Sequence, residues 1–328
     1  MFMAKLKVAV ITGGDNAERE ISLKSAETII KHLDPDKYST WKIDFTNAQF
    51  IDMASETVLD MNDFSLFSKK EKIKFDLVFF ILHGIPAESG QLQGYFDLLK
   101  IPYCGCDHFT SALSFDKQAC KDYLRNFDVP MAKSVMITKQ TDLDQGVLKA
   151  LKDLTLFVKP NKNGSSWGVS KVDADAEYTD AIAKAFEYDD EVIVEEYLKG
   201  REFSNGVYLS SKGMQVLPVT EIIPFGDFFD YKAKYKNESS EVTPAELDPA
   251  LSKKAQLQSL KLFQVLNCTG FVRFDYILRG DTFFFLEVNT IPGMSEQSLV
   301  PQQLAADNKS VGLMLDEIIE ETLSRYSY

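Results

Sequence analysis

Histidine is nearly missing from this chain: three occur in 328 residues. That scarcity removes the multi-histidine centres that hold zinc or copper in many metalloenzymes. Cysteine is almost as sparse. The four present, Cys104, Cys106, Cys120 and Cys268, show no metal-knuckle spacing beyond one C-x-C, which argues for reduced, structural thiols rather than a disulfide framework. Basic charge is in deficit, with 36 Lys and Arg against 49 Asp and Glu and a formal net charge of −13. A surface of that sign does not neutralise nucleic-acid phosphates over a broad face, although it leaves room for a small local basic site. No apolar run approaches the roughly 20 residues of a membrane span. The opening MFMAKLKVAVITGG leads straight into a strand and a glycine turn with no signal-like stretch. The expectation is a cytoplasmic protein with neither a nucleic-acid nor a membrane partner.

What is present is an ordinary globular composition, 45% hydrophobic and 26% charged, in a length that suits two or three domains. No internal repeat or low-complexity linker interrupts it. Two apolar runs near the C-terminus, FVRFDYIL and TFFFLEVNT, read as buried or half-buried strands punctuated by charge. Side chains two apart on a strand share a face. Arg273 and Asp275 therefore point one way, and Val272, Phe274, Tyr276 and Leu278 the other. Glu287 and Asn289 share a face opposite Leu286 and Val288. Adjacent strands of this kind present a guanidinium, two carboxylates and an amide oxygen to one pocket. Such hard oxygen donors suit Mg²⁺, and an arginine beside them suits charge on a transferring phosphoryl group. The competing reading is a surface ion-pair network on a sheet edge.

The first hundred residues alternate strand and helix signals. Strands are expected at 6–12, 75–82 and 101–104, with helices over 21–33 and 93–99, and glycines at the strand ends (Gly13-Gly14, His83-Gly84). That alternation predicts a parallel, doubly wound sheet with its pocket at those ends. A middle section carries a helix over 111–127 and strands at 134–137, 154–160 and 191–198. The last third returns to β-structure, with antiparallel strands at 202–210 and 215–224, a helix over 249–267, the two charged strands, and a C-terminal helix over 311–324. A long polar loop over 225–242, holding Tyr231, Lys234, Tyr235 and Lys236, has the character of a lid.

Several segments between these elements suggest a nucleotide site. In Phe157-Val158-Lys159-Pro160-Asn161-Lys162-Asn163-Gly164-Ser165-Ser166-Trp167-Gly168, a lysine at a strand end meets a loop of small residues whose N–H groups can approach an anion. The pattern is not G-x-x-x-x-G-K-[ST], so it is no P-loop; a plain flexible hairpin fits it too. Lys117 is either a second phosphate lysine or part of a solvated helix face. The strand end Glu191–Leu198, followed by Gly200-Arg201-Glu202, can bind an adenine edge and a ribose hydroxyl. Glu18 follows Gly13-Gly14 at the start of a helix. It can meet a substrate ammonium there or simply complement the helix dipole. His83 is either a pocket residue or a structural one.

Taken in order, these segments resemble the D-alanine–D-alanine ligases of the ATP-grasp superfamily. The collinear matches are GGDNAEREISLKSA, HGIPAESGQLQGYFDLLKIPYCG, SALSFDKQACK, VKPNKNGSSWGVSKV, EEYLKGREFSNGVY, FFDYKAKY, VRFDYIL and FLEVNTIPGMSEQSLVP, and they span nearly the whole chain. The resemblance implies an α/β ATP-grasp fold: an N-terminal doubly wound parallel-sheet domain (1–108), then central (109–194) and C-terminal (195–328) α+β domains that clamp ATP. It implies ATP-dependent ligation of two D-alanines through a D-alanyl phosphate for peptidoglycan precursor synthesis. ATP, a pair of Mg²⁺ (or Mn²⁺) ions and a homodimer come with it.

By the same resemblance, Glu18 meets the first D-alanine's ammonium, and Ser165 links it to Tyr235 on the central loop. Lys117 and Lys159 match the ATP-phosphate lysines, and Lys234 a loop lysine close to the transferring phosphate. Glu195, the backbone around Tyr197 and Leu198, and Glu202 match the adenine and ribose contacts. Asp275, Glu287 and Asn289 match the metal ligands and Arg273 the transition-state arginine. The Gly293 N–H matches the oxyanion hole, Ser298 and Leu299 the site of the second carboxylate, and His83 a pocket histidine. The family's H-G-x-x-G-E-D-G departs here to His83-Gly84-Ile85-Pro86-Ala87-Glu88-Ser89-Gly90, and Trp167 stands where a small aliphatic residue is common. The alternatives are a D-alanine–D-lactate or D-alanine–D-serine ligase, another ATP-grasp carboxylate–amine ligase, and a non-catalytic nucleotide-binding relative. Tyr235 favours the dipeptide ligase over the first, PGMSEQSL counts against the second, and the intact Arg273, Asp275, Glu287 and Asn289 against the third.

Overall fold

The computed structural model describes residues 4–68, 71–141, 151, 154–164, 167–173, 178–225 and 239–326. The apolar run behind Lys5 forms β1 (Leu6–Gly13), whose Val8–Ile11 are wholly buried, as befits a central parallel strand covered on both faces. Helix α1 (Arg19–His32) carries the chain to β2 (Tyr38–Thr46), parallel to β1. Then come β3 (Gln49–Asp52), β4 (Thr57–Val58) and a small hairpin of β5 (Leu66–Ser68) and β6 (Glu71–Ile73). The sheet is completed by β7 (Leu77–Phe80), α2 (Gln91–Leu99) and β8 (Tyr103–Cys104). Its strand order is β4-β3-β2-β1-β7-β8. β2, β1, β7 and β8 run parallel, as the strand–helix alternation predicts, but β3 and β4 add an antiparallel edge. The strand signals of β2 to β4 lie in a polar stretch and were not anticipated. From β1 the chain winds first to β2 and then back across to β7, so the carboxyl ends of β1 and β7 flank a topological switch point, where ligands of such sheets bind. Gly13-Gly14 and His83 stand there.

The expected single helix over 111–127 is two helices, α3 (His108–Phe115) and α4 (Lys117–Leu124). Asp116 breaks them with an extended backbone (φ −83°, ψ 100°), and its carboxylate caps α4 by accepting from the Ala119 N–H. This turns Lys117 from the middle of a helix into its first residue. An antiparallel sheet of order β11-β10-β12-β9 follows, built from β9 (Ser134–Thr138), β10 (Leu156–Pro160), β11 (Ser170–Val172) and β12 (Glu191–Glu196) and backed by α5 (Tyr178–Ala185).

The last sheet is also antiparallel, of order β15-β14-β13-β16-β17. It comprises β13 (Arg201–Ser210), β14 (Gly213–Pro224), β15 (Ser239–Val242), β16 (Phe271–Arg279) and β17 (Thr282–Asn289). β15 corrects the expectation of an unbroken loop over 225–242; residues 226–238 lie outside the described ones. Helix α6 (Pro249–Val265), started by the Asp248 cap and a proline in its first turn, packs on this sheet. The chain ends with α7 (Leu299–Ala306) and α8 (Val311–Tyr326). Helix α8 returns to the start of the molecule: Met314, Leu315, Ile318 and Ile319 share one buried core with Val8, Val10 and Ile29. No helix among the described residues is long and apolar enough to cross a membrane.

Candidate active site

The charged strands pair as their pattern requires. Arg273 faces Asn289 and Asp275 faces Glu287 across the β16–β17 ladder. One detail differs. The register shifts between Asp275 and Tyr276, which pair with Glu287 and Phe285, so Leu286 is an extra residue in β17. This β-bulge lets Phe285 and Val288 both face the core, three residues apart. It also turns Leu286 into the cleft beside Glu287, where strict alternation had placed it on the opposite face.

Asp275 is the hub of this face. Arg273 donates to it through both arms of its fork, Nε at 3.0 Å and Nη2 at 2.9 Å, the geometry a planar guanidinium favours. Asn289 Nδ2 adds a bond at 3.0 Å and Ser204 Oγ one at 2.6 Å. Two carboxylates and an amide on neighbouring strands are hard donors that fit Mg²⁺ as part of a shell completed by phosphate and water. Among the described residues no group of three or more His, Cys, Asp or Glu is placed to hold a metal ion.

A second charged cluster lies on the β10–β12 sheet. Lys159 Nζ is 2.6 Å from Glu195 Oε1, and Lys121 Nζ is 2.8 Å from Glu195 Oε2. All three side chains are nearly inaccessible. Burial pushes the Glu195 carboxyl up, but the two ammonium groups outweigh it and hold its pKa at about 2. Burial shifts Lys121 the other way, below its ordinary value, against the pull of Glu195. Lys121 was missed in the sequence reading, although it lies one helical turn beyond Lys117 in α4, on a spacing that brings side chains to one face. Lys117 donates to the Asn163 carbonyl at 2.7 Å, so both expected phosphate lysines border the loop after β10. The rings of Phe157 and Tyr197 lie 6.1 Å apart, tilted by 32°, beside buried Leu198. Trp167 stacks on Tyr188 at the rim.

Opposite these strands stands the switch point of the first sheet. Glu18 immediately precedes α1, its N–H donating to Asn16 Oδ1, and Asn16 in turn donates to the His83 carbonyl. A Cβ on Gly164 would come within 3.0 Å of Glu18 Oε2, so the missing side chain admits the carboxylate. His83 is buried with Nδ1 3.8 Å from Glu88 Oε1. Burial lowers its pKa, but Glu88 and Glu18 outweigh that and raise it above its ordinary value. At the departures in this loop, Ala87 is fully buried and the Ser89 hydroxyl donates to Gln91 Oε1.

The turn after β17 closes the other side. A Cβ on Gly293 would meet Ser298 Oγ at 2.9 Å, so the glycine leaves room for this hydroxyl against the turn. Met294 N–H donates to Ser25 Oγ of α1 at 3.0 Å, tying the turn to the first sheet. Ser298 precedes α7 but its side chain does not cap it; its Oγ bonds Ser295 Oγ at 2.7 Å instead. The open N-terminus of α7 favours an anion.

Every expected site residue among the described ones lines one cleft of about 900 Å³: Glu18, His83, Lys117, Lys159, Glu195, Tyr197, Leu198, Glu202, Arg273, Asp275, Glu287, Asn289, Gly293, Ser298 and Leu299. Ser165, Lys234 and Tyr235 lie outside the described residues. The cleft also contains residues that sequence reasoning passed over, notably Glu241 and Gln302.

Comparison with known proteins bears on the family of the chain. Residues 7–106 match the family described as D-ala D-ala ligase N-terminus, and residues 123–323 the one described as D-ala D-ala ligase C-terminus. A D-alanine–D-alanine ligase of Phocaeicola vulgatus is 38% identical over 321 residues, covering 96% of this chain and 99% of its own. Among solved structures, the VanG D-Ala:D-Ser ligase of Enterococcus faecalis superposes with a TM-score of 0.87 at 32% identity, over 97% of this chain and 99% of that one. The D-alanine–D-alanine ligase of Bacillus anthracis complexed with ATP has a TM-score of 0.80 at 28% identity, with 98% of each chain covered. Joined along nearly its full length to both halves of that pattern, the chain belongs to the D-alanine–D-alanine ligase family.

Proposed function

We propose that this cleft joins two D-alanines into D-alanyl-D-alanine with ATP, releasing ADP and phosphate, as a step toward peptidoglycan precursors. The observation that carries it is the meeting, in one cleft, of the Lys117–Lys159 side, the Arg273–Asp275–Glu287–Asn289 face and the Glu18 and α7 termini. A carboxylate is a poor acyl donor because its leaving group is oxide or hydroxide. Transfer of the γ-phosphoryl group to the first D-alanine gives D-alanyl phosphate, from which the second amine displaces phosphate.

In this reading Lys117 and Lys159 hold the ATP phosphates, while Glu195, the Tyr197–Leu198 backbone and Glu202 hold adenine and ribose. Asp275, Glu287 and Asn289 would hold a pair of Mg²⁺ (or Mn²⁺) ions, which when bound neutralise phosphate charge. Arg273 leaves its bidentate hold on Asp275 to face the transferring phosphoryl group, since such transfer depends mainly on positioning and electrostatics. Glu18 binds the first ammonium, with His83 beside it. The Gly293 N–H supports the oxyanion, and Ser298 and Leu299 receive the second carboxylate at the open end of α7. By the family resemblance, Ser165 links Glu18 to Tyr235, Lys234 approaches the phosphate, and the loop that carries Lys234 and Tyr235 keeps water from the acyl phosphate. Residues 1–108, 109–194 and 195–328 act as three units, in a cytoplasmic homodimer, with sedimentation as the check on its size.

Phosphate release from ATP, measured with D-alanine, D-serine, D-lactate and L-alanine and with products identified by mass, tests the reading. Strict dependence on D-alanine with the dipeptide as product is expected; equal turnover with L-amino acids would sink it. D-serine as natural acceptor is the second reading, favoured by the likeness to the Enterococcus enzyme, and a mixed D-alanyl-D-serine product at low D-serine would establish it.

A further inference from the structure

Glu241 has no role in the assignments above, yet it lines the cleft. It stands on β15 opposite Ile222 of β14. Gln302, one turn into α7, donates through Nε2 to Glu241 Oε2 at 2.7 Å and to the Gln297 carbonyl at 2.9 Å. One amide thus fixes the carboxylate against the turn that leads into Ser298 and Leu299. We propose, building on the ligase reading, that Glu241 receives the acceptor's amino group: it binds the ammonium of the second amino acid and takes the proton that this nitrogen loses before attack.

Charge complementarity is the argument. The acceptor is a zwitterion, and this end of the cleft offers one positive and one negative feature. The open N-terminus of α7 suits its carboxylate. Its ammonium needs an anion, and several other carboxylates of the cleft are already engaged: Asp275 by Arg273, Ser204 and Asn289, Glu221 by Arg201, and Glu195 by two lysines. Among the described residues, Glu241 has a neutral amide as its hydrogen-bond partner and no cation within ion-pair distance. Arg273 is near enough to be felt electrostatically but is paired with Asp275. Burial raises the Glu241 carboxyl above its ordinary value, against the opposing pull of Gln302 and Arg273, which makes it a better proton acceptor than an exposed glutamate.

The step balances. An N–H bond of the ammonium breaks and its proton passes to a Glu241 oxygen, freeing the nitrogen lone pair. That pair forms the C–N bond at the acyl carbon, the C–O bond to phosphate breaks with its electrons, and the departing phosphate takes the second proton.

The test is Glu241→Gln, which keeps an oxygen for Gln302 and removes only the charge. Loss of a charge-assisted contact predicts a rise of about tenfold or more in the KM of the acceptor D-alanine. The KM values for ATP and for the first D-alanine should stay within about twofold, a split that a general structural defect would not produce. Oxygen-isotope scrambling within ATP, which reports acyl phosphate formation alone, should continue. Preference for D-alanine over D-lactate, which has no ammonium, should fall by about tenfold. Glu241→Asp should recover part of each effect. If all constants move together, or the acceptor KM and the D-lactate ratio do not move, the assignment is overturned. Wild-type protein that forms no D-alanyl product with any acceptor would instead overturn the ligase reading beneath it.

Discussion

The end of the cleft proposed for the nucleotide and the end proposed for the acceptor handle charge in opposite ways. Around Glu195, charges are matched within the protein: two lysines, one carboxylate, all nearly inaccessible. Around α7 the matching is incomplete. Ser298 leaves the helix uncapped, and Glu241 is held by a neutral amide. A buried network satisfied in advance is a rigid part of the scaffold, whereas polar groups left waiting are completed by whatever binds. Arg273 lies between the two regimes, held in a bidentate pair by Asp275 on the wall that the proposed reaction assigns to the phosphoryl group.

The contrast can be broken in several places. Arg273→Ala should lower kcat by about 10²-fold or more while the KM for ATP changes little; steady-state kinetics decide it, and near-normal turnover would remove Arg273 from the chemistry. At the nucleotide end, Lys121→Met should cost about 3 kcal/mol of folding stability, because Glu195 loses one of two buried partners, and should also raise the KM for ATP. Urea unfolding checks the first effect; an unchanged midpoint would mean that the network contributes nothing. The same network sets an acid limit. The Glu195 carboxyl is depressed from an ordinary 4.5 to about 2, so its contribution is complete above pH 4.5 and is lost as pH falls toward 2. Thermal melts of wild type and Glu195→Gln over that window should converge at the acid end. The smallest effect belongs to Ser298→Ala. An N-cap serine normally contributes about 1 kcal/mol, but this one does not cap, so the melting temperature should hold while the acceptor KM rises severalfold.

Much of this was legible because strands encode faces in alternation. Arg273, Asp275, Glu287 and Asn289 announced a shared pocket wall, and the ladder puts them opposite one another in pairs. What escaped has local or long-range causes. The extra residue at Leu286 sits in an apolar run, where a bulge changes no composition. Asp116 looked like one polar residue in a helix, though an aspartate ahead of an amphipathic turn is also a cap signal. The Lys121–Glu195 pair joins positions 74 apart in sequence, and pattern along the chain cannot reveal that. Glu241 lay at the end of a stretch too polar to suggest a strand.

Helix α8 carries a consequence for how the chain is made. Its Met314, Leu315, Ile318 and Ile319 complete the core that β1 and α1 begin, so β1 and α1 leave the ribosome well before the helix that packs on them. Until then an apolar face of the first sheet stays exposed, open to aggregation or to a chaperone. The order of synthesis and the order of packing run against each other, and a chain cut short before α8 would keep that face uncovered.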